Sequence, residues 1–544
     1  MTKQLSNAIL CGICSLCTRH LAVIIWCSLA LWVQATPERR PNIIFILSDD
    51  ISYKDLSVYG QTQFTTPNLD RLARAGVRFT QAYAGSSECA PSRGSLMTGM
   101  HMGHCRIRAN GSVRGQDHLL DEDITLAEVL KRGGYATGFI GKWGIGLPGT
   151  EGVPHKQGFD YAYGYYDQAR AHGFFPDYLM LNGERILMPE NHGFDMERVY
   201  RYNSKPVTKL AGVENTYDEE GKLVPDGVAD PAAARYSEDC FQAAALEFIE
   251  KNRQRPFFLY YATQLPHGPC ITPDLGAFKD KPWDLKHKEW AAMMTHLDRG
   301  VGKMVDRLTE LDLEKDTAIF FAGDNGYSQW GYFGRGAWND DPLFRNKGPW
   351  RAGKFISREG GLRVPFFAWC PERFPARESD HICALYDVLA TAAELGGVEI
   401  DHETDGISLV PELENRPADQ GKHEYLYWEN GTINSHAQSV RMGPWRAFRP
   451  HPNRPTELYN LAQDIACAND VAAEHQDVVT AVERIFGEAH VDSEWYINPG
   501  EDKAVTTAKR EKARASGPLQ NSVRANSTFS VMPGKWTFTA EKEK

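Results

Sequence analysis

Residues 43–47, Ile-Ile-Phe-Ile-Leu, are apolar without interruption and stop abruptly at Ser48-Asp49-Asp50. Apolar side chains on both faces of a short run predict a strand covered on both sides. From Pro67, the spacing of Leu69, Leu72 and Ala73 predicts a helix. "ITLAEVLKRGGYATGFIGKW" predicts a helix, a glycine stop and a strand from Tyr135 to Ile140. Ser237 is placed to cap a helix running to Asn252, and "PFFLYYAT" follows as a strand. Trp290, Met294, Leu297, Val301, Met304 and Leu308 mark a long amphipathic helix. "TAIFFAGDNG" and "RVPFFAWC" are further buried-strand runs. Helices alternating with such strands predict an α/β domain with a mostly parallel sheet covered on both faces. Sheets of this kind bind ligands beyond the carboxyl ends of their strands. Asp49-Asp50, Lys142, His267 and Asp324-Asn325 all fall at that edge. Any one of them alone reads as a turn or a cap; several together predict one shared site.

The texture changes after residue 415. "HEYLYWENG", "HAQSVRMGPWRAFRP" and "TELYNLAQD" read as short strands with turns, followed by a helix from about Asp477 to Phe486. The pattern divides the chain into a large domain over 36–415, a small α+β domain over 416–499 and an extended, partly ordered tail over 500–544, rich in Lys, Glu, Ala and Ser. At the other end, Lys3, Arg19 and His20 precede an apolar run, Leu21 to Val33, closed by Val33-Gln34-Ala35. That is the form of a secretory signal peptide over 1–35, shorter than the ~20 apolar residues of a membrane span. The expectation is a periplasmic or secreted protein; an uncleaved anchor is the alternative.

Charge and cysteine usage narrow the class. A net charge of −11 over 544 residues argues against non-specific nucleic-acid binding. Four of the eleven cysteines lie within the leader, leaving Cys89, Cys105, Cys240, Cys270, Cys370, Cys383 and Cys467. Their scatter is neither a disulfide scaffold nor a zinc cluster.

Asp49, Asp50, Asp324 and Asn325 form a hard-oxygen set suited to Ca²⁺ or Mg²⁺, with Asn325 where a two-zinc site would call for histidine. Turn chemistry is the bland alternative for Asp-Asn-Gly. Cys89 stands before Pro91 and Arg93, at the start of a predicted helix. Backbone N–H groups and a fixed guanidinium there favour a negatively charged atom, either a thiolate or the alkoxide of a modified cysteine.

"CAPSRGSLMTG" resembles the sulfatase signature Cys-x-Pro-Ser-Arg with its Thr-Gly end. "NIIFILSDD", "GYATGFIGKW", "LPHGP", "FFAGDNG", "GKFISREGGLRVP" and "ELYNLAQD" are similar, in order, to further segments of that family, over roughly residues 41–470. The resemblance implies an alkaline-phosphatase-like large domain and hydrolysis of a sulfate ester, with a carbohydrate sulfate as the expected substrate. It implies oxidation of Cys89 to formylglycine by a modifying enzyme during export, and Ca²⁺ held by Asp49, Asp50, Asp324, Asn325 and the modified Cys89. Arg93 is then expected to stabilise the hydrated aldehyde, and Lys142 and Lys354 to neutralise sulfate oxygens. His267 is expected to protonate the departing alcohol or hold a sulfate oxygen. The sequence departs from the common Lys-Trp-His pattern at Lys142-Trp143-Gly144, which leaves a base unassigned; His172, His118 and His104 are candidates. Trp143, Trp330 and Trp350 read as packing residues or sugar-stacking walls, and Lys347, Arg351 and Arg358 as a solvated loop or polyanion contacts. Asn110, Asn430 and Asn526 head glycosylation sequons. The rival readings are a phosphomonoester or phosphodiester hydrolase of the same superfamily, and a non-catalytic binder of sulfated glycans.

Overall fold

A computed structural model describes residues 40–192, 194, 215–225, 228, 230–328, 340–430 and 436–515. The leader, Trp330 and Asn526 lie outside these residues. Strands β1 (Asn42–Asp49), β2 (Val77–Phe79), β3 (Ala136–Lys142), β4 (Tyr161–Tyr165), β5 (Tyr178–Leu181), β6 (Glu184–Leu187), β7 (Phe257–Pro266), β8 (Thr317–Gly323), β9 (Phe366–Trp369) and β10 (Arg377–Ser379) form one sheet. Its order is β10-β2-β9-β8-β1-β7-β3-β4-β5-β6. The five central strands, β8-β1-β7-β3-β4, are parallel. Antiparallel pairs flank them on either side.

The uninterrupted apolar run of β1 serves two cores at once. Ile44 and Ile46 pack on one face with Leu69, Phe241, Trp290 and Leu297, from helices α1 (Pro67–Ala75), α4 (Ser237–Asn252) and α5 (Leu285–Glu310). Ile43, Phe45 and Leu47 pack on the other with Leu96, Val129 and Leu389, from α2 (Cys89–Thr98), α3 (Leu126–Arg132) and α6 (Asp387–Gly396). Each fully buried side chain of this kind contributes about 1.5–3 kcal/mol, so the strand that carries Asp49 is firmly anchored from both faces. Ser237 does not cap α4: the helix starts on it, and its hydroxyl donates to Gln264 Oε1 (2.7 Å).

Strands β11 (Leu426–Glu429), β12 (Gln438–Met442), β13 (Trp445–Arg449) and β14 (Glu457–Asn460) form a separate antiparallel sheet, backed by α7 (Gln476–Glu488). This is the small α+β module expected after residue 415. Residues 516–544 of the expected extended tail lie outside the described residues, and the described part departs from that reading. Residues Lys503–Ala515 form helix α8, and Lys509 Nζ donates to the carbonyls of Ser493 and Tyr496 at 2.8 Å each. Its Ala, Lys, Glu and Arg are strong helix formers, and a docking contact is what composition alone does not reveal. Among the described residues, no helix is long and apolar enough to cross a membrane.

Glu429, at the end of β11, pins the module to the large domain. It accepts from Arg108 (2.9 Å), His490 (2.7 Å) and the Tyr427 hydroxyl (2.7 Å). Burial pushes its carboxyl up, but His490 and Arg108 outweigh that and hold it below the usual range. Arg108→Ala strips a buried carboxylate of its permanent cation. Unfolding in urea is expected to show a loss of about 3–5 kcal/mol, whereas the same substitution at exposed Arg484 is expected to cost under ~1 kcal/mol.

Candidate active site

Four parallel strand ends and one helix start deliver the site. β1 ends in Asp49 and passes to Asp50, whose φ of 63° turns the chain sharply off the sheet. β8 runs into Asp324 and Asn325, and the Asp324 amide donates to the Ser48 carbonyl (3.0 Å), locking the two strand ends together. β3 ends in Lys142. The preceding Gly141 has a φ of +115°, and a Cβ on it would lie 2.0 Å from the Ala262 carbonyl, so only glycine lets β3 close on β7 here. β7 ends at Pro266, next to His267. Helix α2 begins at Cys89 and is buried along its whole length. Lys354 arrives on the loop after residue 340, its amide bound to the Tyr327 carbonyl (2.7 Å).

The nine residues singled out in the sequence are all buried and meet in one cluster. Lys142 Nζ lies 2.5 Å from Asp49 Oδ2, and Lys354 Nζ 2.5 Å from Asp50 Oδ1. Arg93 clasps Asp324 Oδ2 through Nε and Nη2 (3.2 and 2.9 Å) and donates from Nη1 to the Lys142 carbonyl (2.6 Å). Its Nη2 also lies 3.7 Å from Asp49 Oδ1, so the guanidinium bridges the carboxylates beside position 89. Asn325 Nδ2 donates to Asp50 Oδ1 (2.9 Å), which turns its Oδ1 toward Cys89. His267 Nε2 is 3.4 Å from Asp50 Oδ2, and its Nδ1 faces the Gly268 carbonyl. Donor atoms of Asp49, Asp50, Cys89 and His267 all lie within 4.8 Å of one another.

Three carboxylates face three cations, so the cluster is formally neutral. Asp50 is held below the carboxylate range because Lys354 and His267 outweigh its burial. Asp324 is pushed up to about 6 by burial and by Asp49, against Arg93. Burial lowers His267 to about 3, with Asp50 opposing and Lys354 and Lys142 adding to it.

Cys89 overturns the thiolate expectation. Its Sγ lies 3.4 Å from Asp49 Oδ1, 3.3 Å from Asn325 Oδ1 and 3.0 Å from Lys354 Nζ. Burial, Asp324 and Asp49 raise its pKa well above the ordinary thiol value, and the two lysines do not compensate. The helix start that was expected to activate sulfur is outweighed by carboxylates in direct contact. A soft sulfur among hard oxygens is a mismatch that an oxygen at this position removes.

Other expectations resolve locally. Trp143 is core, its indole bound to the Gly152 carbonyl (2.7 Å). Trp350 is buried against Tyr53. Arg351 and Arg358 serve the small sheet, through Tyr459 (2.8 Å) and Glu457 (2.7 Å) respectively. Of the histidine candidates, His104 pairs with Asp405 (2.9 Å) and His118 sits 3.9 Å from Asp117, whereas His172 stacks on His267. Among the described residues, Cys89, Cys105, Cys240, Cys370, Cys383 and Cys467 carry free thiols. The structure adds Ser328, whose hydroxyl donates to Asp50 Oδ2 (2.8 Å), and Asn430, whose amide donates to Ser87 Oγ (3.0 Å) and the Phe355 carbonyl (3.2 Å). Asn430 thereby ties the small module to the segments flanking both Cys89 and Lys354.

Gly144 has a φ of +79°, and a Cβ on it would lie 2.3 Å from Gln168 Oε1. Gly144→Ala is expected to cost about 1–3 kcal/mol in urea unfolding. Gln168→Ala in the same chain is expected to recover the steric part and leave the backbone strain.

Comparison with known proteins places this arrangement in a family. The sulfatase family model matches residues 41–398. An N-acetylgalactosamine-6-sulfatase of Canis lupus familiaris is 31% identical over 432 residues, 75% of this chain and 71% of that protein. An N-acetylgalactosamine-6-O-sulfatase of Bacteroides thetaiotaomicron is 28% identical over 493 residues, 82% of this chain and 93% of that protein. The crystal structure of Ps i-CgsB superposes with a TM-score of 0.67 at 26% identity, covering 88% of this chain and 99% of that one. The chain belongs to the sulfatase family, whose members hydrolyse sulfuric esters.

Proposed function

We propose that the protein is an exported, calcium-dependent sulfatase that removes sulfate from a carbohydrate ester, with Cys89 converted to formylglycine. The observation that carries this reading is the buried ring of three carboxylates, one amide oxygen and three cations around position 89. The donor set fits a divalent hard cation: Asp49, Asp50, Asp324 and Asn325 offer only oxygens, and Asn325 Oδ1 is already aimed at the centre. When present, Ca²⁺ adds two positive charges to a neutral ring and so favours an anionic ester. Formylglycine, as its hydrate, supplies one hydroxyl as nucleophile and a second that lets sulfate depart and the aldehyde return.

The remaining work falls to the chain. Lys142 and Lys354 are fixed on Asp49 and Asp50, so they face a sulfate oxygen without reorganising as charge develops. Arg93 holds Asp324 and the Lys142 carbonyl in register. His267 handles the proton of the departing alcohol at Nε2, because Nδ1 is engaged by the Gly268 carbonyl. A sulfate anion beside this imidazole favours its protonated form.

Carbohydrate as the leaving group rests on the relatives. Two are named for N-acetylgalactosamine 6-sulfate, and Ps i-CgsB is also solved with k-i-k-neocarrahexaose. Export rests on the leader-like residues 1–35, and maturation implies a modifying enzyme as a transient partner.

On 4-nitrophenyl esters, kcat/KM for the sulfate is expected to exceed that for the phosphate by about 100-fold or more, a difference of some 2.7 kcal/mol in transition-state binding. The reverse order would place the protein with the phosphate-ester hydrolases. Dialysis against a chelator is expected to abolish turnover and Ca²⁺ to restore it. Lys142→Ala is expected to lower kcat by roughly 10²–10³-fold, as for removal of one preorganised charge donor, and to reduce stability in urea because Asp49 loses its buried partner.

A further inference from the structure

His172 lies face to face with His267, ring centroids 4.1 Å apart and planes within 9°. Nothing in the reading above uses it. Its placement is tightly built. Gln264, two residues before the end of β7, donates through Nε2 to the carbonyls of Ala171 and Gly173, on either side of His172, at 2.8 Å each. Gln264 is itself held by Ser237 Oγ (2.7 Å) and by Glu238, which accepts from its amide (2.7 Å). The Tyr165 hydroxyl also donates to the Gly173 carbonyl (2.8 Å). Asp167 Oδ1 accepts the amides of Ala169 and Arg170 (2.7 and 2.9 Å), closing the other end of the strap. The strap fills two places beside the reaction centre. Gln168 takes the space that a side chain at 144 would need, and His172 covers the open face of His267.

We propose that His172 is a positioning residue: its ring fixes the plane of the His267 imidazole, so that Nε2 meets the leaving-group oxygen. The proposal rests on the sulfatase reading and on the assignment of His267 to the leaving-group side. The His267 ring is held at Nδ1 by the Gly268 carbonyl and approaches Asp50 Oδ2 through Nε2 (3.4 Å), which leaves rotation of its plane about the line of these two contacts to be blocked by packing. A parallel aromatic neighbour held by its own flanking carbonyls supplies that block.

Leaving-group dependence distinguishes positioning from general support. A 4-nitrophenolate departs without a proton, whereas 4-methoxyphenolate, a stronger base, gains from one. His172→Ala is expected to reduce kcat/KM for 4-methoxyphenyl sulfate by roughly 10–100-fold and for 4-nitrophenyl sulfate by under about threefold. His172→Phe keeps a flat ring without a transferable proton and is expected to bring both rates within about threefold of the wild type. In ring-labelled histidine spectra, the upfield ring-current shift of the His267 protons should vanish in His172→Ala and return in His172→Phe. An equal loss on both esters, or a wild-type His267 without that shift, overturns the proposal. Leaving-group dependence that phenylalanine fails to relieve also overturns it, because His172 then carries the proton itself. A wild-type enzyme that cleaves no sulfate ester refutes the functional reading instead, and the ring-current measurement still decides the stack.

Discussion

The structure turns on the cost of burying charge. Asp49, Asp50 and Asp324 stand together with essentially no solvent access, as do Arg93, Lys142 and Lys354. Each ion taken out of water costs several kcal/mol, recovered only when opposite charges and hydrogen bonds are in place. Each carboxylate has a close cationic partner: Lys142 on Asp49, Lys354 on Asp50, Arg93 on Asp324. These partners come from β1, β3, β8, α2 and the Lys354 loop. Assembling the charges therefore fixes the ends of the central strands relative to the nucleophile helix.

That balance explains the architecture around it. The sheet centre is parallel where strand ends must converge, and antiparallel only at its margins. The small C-terminal sheet supports the loop that carries Lys354. Arg446 donates to the Ser357 carbonyl (2.7 Å), Arg358 pairs with Glu457, and Asn430 bonds the Phe355 carbonyl. Arginines that read as polyanion contacts in sequence are the cross-braces of this support. On the proposed reading, a divalent cation added to this neutral ring leaves a modest positive excess suited to a sulfate ester.

Much of this was legible in the chain. Runs such as Ile43–Leu47 and Ala318–Ala322 declare buried strands, because no surface element tolerates apolar residues on both faces. The polar residues after them declare a site, because strand ends in such sheets share an edge. Asp50 and Lys354, 304 residues apart, were linked by family resemblance and by nothing in their spacing. The Tyr178–Leu181 and Glu184–Leu187 hairpin carries an Asn-Gly turn signature at 182–183 that hydrophobic patterning does not register. The pairing of His172 with His267 was not legible either. It depends on Gln264 reaching across from β7, a contact between segments with no shared periodicity. The behaviour of Cys89 reversed a local argument: a helix start favours a thiolate, but carboxylates in contact outweigh it.

The account stands or falls on the atom at position 89. A thiol there is buried, pushed away from ionising by that burial and by Asp324 and Asp49, and mismatched to its oxygen neighbours, and the proposed enzyme carries oxygen in its place. Mass analysis of the tryptic peptide spanning residues 79–93, from active protein made in a host with the modifying enzyme, tests this directly. The predicted result is a peptide lighter by the difference between CH₂SH and CHO, with turnover proportional to the converted fraction. Full sulfatase activity from protein whose peptide retains an intact cysteine would contradict it.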